Sequence, residues 1–157
     1  MKKKIIKKHN WKTPEKFYES LNKQFNFNFD PCPHDHDMSW DGLEVDWKER
    51  NFVNPPYDKK TKEAFVKKAI EESRKGKLCV MLLPVCTSDS LFHDHILPNQ
   101  RKIFFMKDKM ELDGKKVDFD SMLVFFQNKI EEPLEPRPPV KPKDAEPMVN
   151  ASDPKKK

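Results

Sequence analysis

The chain has 157 residues, 36% hydrophobic and 36% charged, enough for one domain whose core sits in a few apolar runs. No run approaches the ~18 apolar residues of a membrane-spanning helix, and no apolar stretch of ~7–15 residues follows the basic start, so neither a membrane protein nor a signal peptide is expected. A net charge of +5 favours a polyanion as partner, nucleic acid first, while three cysteines and three glycines exclude a disulfide framework and a glycine-rich phosphate loop.

Residues 1–10 read as a basic arm, with Lys2, Lys3, Lys4, Lys7 and Lys8 crowded together. Such ends bind phosphate without reading sequence. Thr13 and Pro14 open a helix, Thr13 as N-cap and Pro14 at the first helical position. Phe17, Tyr18 and Leu21 form its apolar face, and it runs to about Lys23. Phe25, Phe27 and Phe29 alternate with Asn26 and Asn28, which predicts a strand ending at Asp30-Pro31. Residues 31–50 read as an irregular loop, pinned to the body by Trp40, Leu43, Val45 and Trp47.

Asn51 to Asn54 reads as a short strand stopped by Pro55-Pro56. Thr61 to Lys75 reads as a helix closed by Gly76, with Phe65, Val66, Ala69 and Ile70 on one side. Leu78 to Leu83 is a continuous apolar run and predicts a buried parallel strand. A short helix over Asp89–Ile96 and a strand at Ile103–Met106 follow. A polar turn at Asp113-Gly114 leads to the last strand, Met122–Phe126. The four phenylalanines of these two strands, Phe104, Phe105, Phe125 and Phe126, read as core. Residues 133–157 hold seven of the chain's 14 prolines and end on Lys155, Lys156 and Lys157, the composition of a disordered tail. The expected organisation is a basic arm (1–10), a domain (11–132) and a Pro/Lys-rich tail (133–157). Helices alternating with strands predict a small α/β sandwich around a largely parallel sheet.

Asn54-Pro55-Pro56-Tyr57 follows a predicted strand, where open α/β sheets bind ligands. The segment suits chemistry on an exocyclic amine. Such a nitrogen is a poor nucleophile because its lone pair is delocalised into the ring. An Asn oxygen and a backbone carbonyl that accept its two N–H bonds draw that lone pair out. Two prolines fix φ and remove two donors, so the turn presents acceptors rigidly. The aromatic can stack on a base taken out of its helix.

The chain resembles the short phage-type DNA N6-adenine methyltransferases, also carried by large DNA viruses. The resemblance runs in order through Trp11-Lys12-Thr13-Pro14, Phe29-Asp30-Pro31-Cys32, Asp41-Gly42-Leu43 with Trp47, Phe52-Val53-Asn54-Pro55-Pro56-Tyr57, Leu82-Leu83-Pro84 and Ser121-Met122-Leu123. It covers roughly residues 11–126. It implies a Rossmann-like methyltransferase fold, S-adenosylmethionine as methyl donor and adenine in DNA as acceptor. It implies catalysis at Asn54, Pro55, Pro56 and Tyr57. Donor contacts fall to Trp11, Thr13, Asp30 and Pro31, with Asp41 reaching the donor's adenine or ribose. It implies no metal, and a location in the cytoplasm or the interior of a host cell, with phage or viral origin. Phe105 to Met110 stands where the family often carries Gly-Arg-x-x-Phe, so no contact is carried over there.

Other readings stay open at this level. Cys32, His34, His36 and Asp37 are metal-ligand types. Cys86 would be a nucleophile if His93 or His95 stood beside it. A catalytically inactive nucleic-acid-binding module on the same scaffold, or a methyltransferase acting on RNA or another amine, would carry much the same sequence.

Overall fold

The computed structural model describes residues 10–35 and 39–128. The expected basic arm, all but its last residue, and the Pro/Lys-rich tail lie outside the described residues. Helix α1 (Glu15–Phe25) leads to strand β1 (Arg50–Val53), helix α2 (Lys59–Arg74) and strand β2 (Leu78–Pro84). A π-helical turn, Leu91–Ile96, runs into the short α3 (Leu97–Asn99). Strand β3 (Lys102–Phe105), a small hairpin of β4 (Glu111–Leu112) and β5 (Lys115–Lys116), and strand β6 (Ser121–Phe126) complete the chain.

The main sheet has the order β1-β2-β6-β3. β1 and β2 are parallel, in the register Phe52↔Val80. β6 is antiparallel to both its neighbours, with Met81↔Val124 and Ile103↔Val124. This corrects the expectation of a largely parallel sheet. β1, β2 and β3 point one way, but β6 lies reversed between β2 and β3. The segment joining β3 to β6 holds a hairpin and no helix, so the chain doubles back instead of crossing over.

Strand alternation divides the core in two. Val53, Met81, Leu83, Val124 and Phe126 face α2, meeting Phe65, Val66, Ala69 and Ile70. Phe52, Val80, Leu82 and Leu123 face the other way, meeting Leu21 and the hairpin residues Met110, Leu112 and Val117. The central strands are covered on both faces, which explains their unbroken apolar runs. Each such side chain contributes about 1.5–3 kcal/mol on burial.

Three local expectations change. The Phe25–Phe29 strand is absent: α1 continues through Phe25 and ends at Asn26, in the left-handed region at φ 52. Asn22 Oδ1 then accepts from the Phe27 N–H at 2.8 Å. Only Phe29 bridges β1, opposite Asn51. The phenylalanines alternate because Phe25 and Phe27 pack on each other and on Phe125 and Phe52. Thr13 does not cap α1; Pro14 holds the cap position and no side chain bonds there. Phe104 and Phe105 are 52% and 56% exposed, because β3 is the edge of the sheet.

The loop before β1 is tied down as expected, with Trp47 buried and Leu43 and Val45 packed against the core. Glu72 of α2, its side chain fully buried, accepts from Lys68 and Lys75 at 3.1 Å each and also pairs with Lys77. Lys77 also donates to the Trp47 carbonyl. Burial pushes the Glu72 carboxyl up, but the bonds from Lys77, Lys75 and Lys68 outweigh it and hold the pKa at about 2.

Candidate active site

Asn54 stands directly after β1, at the carboxyl end of the strand, and is 7% exposed. Its Nδ2 donates to the Trp11 carbonyl at 2.7 Å and to Thr13 Oγ1 at 3.0 Å. A carbonyl oxygen can only accept, so this pairing fixes which end of the amide is nitrogen. Asn54 Oδ1 is then a buried acceptor with no partner among the described residues. Leaving such a group unmatched costs about 1–3 kcal/mol, and buried polar atoms in folded proteins are rarely left so.

Pro55 is buried and Pro56 half-buried behind it. Tyr57 donates its hydroxyl to the Leu82 carbonyl at 3.2 Å. Its ring meets Phe119 edge-to-face at 5.7 Å, and Phe119 meets Trp11 in the same manner at 6.1 Å. Burial raises the Tyr57 pKa, so the phenol is a donor and not a base at neutral pH.

A cavity of about 410 Å³ opens beside Asn54, within the ~300–1,000 Å³ range of small-molecule sites. Trp11, Thr13, Tyr18, Asp30, Cys32 and Asn54 are among the residues that line it. Asp30 Oδ1 accepts from the Cys32 N–H at 2.8 Å, folding the chain into a tight turn at the wall. Burial, then the charges of Asp30 and Asp41, push the Cys32 thiol up to about 12. Cys32 is therefore a neutral wall residue rather than a nucleophile.

Of the expected donor residues, the structure brings Trp11, Thr13 and Asp30 to the cavity with Asn54. Pro31 and Asp41 do not line it. Pro31 is buried against Gly42, where a Cβ would fall 1.8 Å from the Pro31 carbonyl oxygen. Asp41 is exposed and accepts from the Leu43 N–H at 2.8 Å. Its turn backs the wall instead of forming it.

Phe119 was not singled out from sequence. Its only signal is one aromatic between Asp118 and Asp120 in a polar stretch. Ser121 Oγ is the other buried side-chain atom without a partner among the described residues. Ser121 opens β6 opposite Pro84, at the same end of the sheet as Asn54. Among the described residues no group of three or more His, Cys, Asp or Glu side chains is placed to hold a metal; His36 and Asp37 lie outside them. His93 Nε2 faces the Thr87 carbonyl, and no bond joins it to Cys86.

Fold and site together define a small mixed α/β domain with a mixed sheet. A cavity and a polar turn share the carboxyl end of its parallel strand pair, an arrangement consistent with a methyltransferase. The family model described as DNA N-6-adenine-methyltransferase (Dam) matches residues 2–137, and the chain belongs to this family. No curated protein matches the chain. No helix among the described residues is long and apolar enough to cross a membrane.

Proposed function

We propose that this protein transfers a methyl group from S-adenosylmethionine to the N6 amine of adenine in DNA. One observation carries the reading: Asn54 Oδ1 is buried and unmatched while Nδ2 is held by two acceptors. An amide so placed is an acceptor waiting for a donor. An exocyclic amine supplies one.

The residues present fit the methyl donor. The cavity is large enough, and its wall combines aromatic rings (Trp11, Tyr18, Phe52) with the hydroxyl of Thr13 and the carboxylate of Asp30. Trp11, Thr13 and Asp30 would hold the donor there, with Pro31 and Asp41 supporting the wall from behind. When bound, S-adenosylmethionine supplies an electrophilic sulfonium methyl for the amine to attack.

The chain's own residues do the rest by orientation and electrostatics. Asn54 Oδ1 accepts one N6–H and the Pro55 carbonyl accepts the other. This draws the nitrogen lone pair out of the ring. Pro55 and Pro56 offer no N–H to compete for those acceptors. Tyr57 and Phe119 supply an aromatic wall for the extruded base, whose unstacking costs a few kcal/mol. Lysines of the basic arm neutralise DNA phosphates.

The test is radiolabelled methyl transfer to mixed-sequence DNA, with nucleosides resolved afterwards. Label in N6-methyladenine, cut to a small residual rate in Asn54→Ala while donor binding persists, is the expected result. Equal label in wild type and Asn54→Ala would sink the assignment.

A further inference from the structure

One polar contact of the site, from Asn54 Nδ2 to Thr13 Oγ1, is not explained by donor binding. Thr13 directly precedes the cap position of α1, yet that helix has no side-chain cap. A threonine at the cap position itself would turn its hydroxyl to the first free N–H groups of the helix; Thr13 stands one residue further out. Its hydroxyl instead accepts from Asn54 Nδ2 at 3.0 Å, across 41 residues of sequence.

We propose that Thr13 is a positioning residue for methyl transfer, acting through the amide of Asn54. This rests on the amine-directed role given to Asn54 above. The amide torsion of an asparagine side chain is soft and broadly two-fold. One anchor, the Trp11 carbonyl, selects the correct face of the amide. The second anchor, Thr13 Oγ1, fixes the torsion. With both in place, Oδ1 stays where it is buried and unmatched. Without Thr13 Oγ1, one N–H loses its partner, and the amide swings to recover it. Misplacement by about 1 Å at a reacting centre can cost about 100-fold in rate.

The role makes a specific demand on chemistry. The group at position 13 must accept a hydrogen bond from Nδ2. Serine meets that demand. Valine, nearly the same shape as threonine, does not.

The experiment compares the full chain with Thr13→Ser, Thr13→Val, Asn54→Ala and the Thr13→Val/Asn54→Ala double variant. It measures kcat at saturating donor, KM for DNA, donor affinity by calorimetry and melting temperature. Thr13→Val is expected to lose about tenfold in kcat, equivalent to about 1.4 kcal/mol, with KM for DNA little changed. Thr13→Ser is expected to restore kcat. Thr13→Val is expected to add nothing on top of Asn54→Ala, because the two act as one unit. A wild-type kcat in Thr13→Val would overturn the proposal. So would equal losses in the serine and valine variants, or a further tenfold loss in the double variant. Should the valine variant fail to fold, Thr13→Ala replaces it, with the same expectations. Full activity in Asn54→Ala would instead remove the catalytic reading itself, a separate and distinguishable result.

Discussion

Replacing Gly42 by alanine tests how the cavity wall is held. Gly42, unlike Gly76 and Gly114, does not have a positive φ, so alanine meets no backbone obstacle there. The obstacle is contact. The new Cβ would lie 1.8 Å from the Pro31 carbonyl oxygen, 2.8 Å from its carbonyl carbon and 3.2 Å from its Cβ. Two of those atoms are backbone and cannot swing aside, so one turn must lift off the other by more than an ångström. The Gly42 carbonyl also accepts from Trp47 Nε1 at 2.7 Å, with Trp47 2% exposed. Overpacking costs about 1–3 kcal/mol, and an indole N–H left unmatched in the core costs about 1–3 kcal/mol. The expected loss is about 3 kcal/mol, a fall in Tm of about 10 °C for a domain this size. Asp30 and Cys32 flank Pro31 and line the cavity, so donor affinity by calorimetry should fall as well. Gly114→Ala is the control. Gly114 has φ 73 and nothing within 4 Å of an added Cβ, so it should cost about 1 kcal/mol from conformation alone. A Gly42→Ala protein that melts within about 2 °C of wild type and binds donor normally would refute the steric argument.

The folded pKa of Glu72 is held at about 2, below its ordinary value of 4.5, so its contribution to stability is present above about pH 4.5 and is lost as pH falls towards 2. Acid-unfolding curves of wild type and Glu72→Gln should therefore converge over that window, with the variant about 3 kcal/mol or more weaker at neutral pH; curves that stay parallel would contradict the lysine cluster's role. Tyr57→Phe removes only the bond to the Leu82 carbonyl and should cost about 1 kcal/mol of stability while methyl transfer persists; a loss as deep as that of Asn54→Ala would show that the phenol takes part in the chemistry.

Much of the fold was legible where one period ruled the sequence. α2 was readable because Phe65, Val66, Ala69 and Ile70 repeat at helical spacing, and β2 because both its faces are covered. Phe25, Phe27 and Phe29 misled because their period of two arises from a helix end, a left-handed Asn26 and a single bridge. Local pattern cannot tell that from a strand. Phe104 and Phe105 read as core because nothing local marks a strand as the edge of its sheet; that depends on β6 slotting between β2 and β3. At the site, Asn54 to Tyr57 stood out by their chemistry, and Trp11, Thr13 and Asp30 by family resemblance. The bond between Thr13 and Asn54 was illegible, because a threonine before a helix has an ordinary local duty and the sequence gives no sign that it is reassigned.

The two ends of that bond depend on one strand. Phe52 and Asn54 are two residues apart, so they project to the same face of the sheet. Phe52 is the platform on which α1 docks: the Tyr18 ring lies edge-on to it at 5.3 Å, and Leu21 joins the same cluster. α1 in turn carries Thr13 at its head. The strand that delivers Asn54 therefore also seats the helix that positions it. A slip of β1 by one residue would turn both Phe52 and Asn54 to the opposite face, losing helix and amide together. A change confined to the contact between α1 and Phe52 would act differently. It would leave β1 in register and Asn54 in place, yet shift Thr13 away from Nδ2. A packing substitution at Leu21, which belongs to that cluster but does not line the cavity, should thus resemble Thr13→Val in kcat.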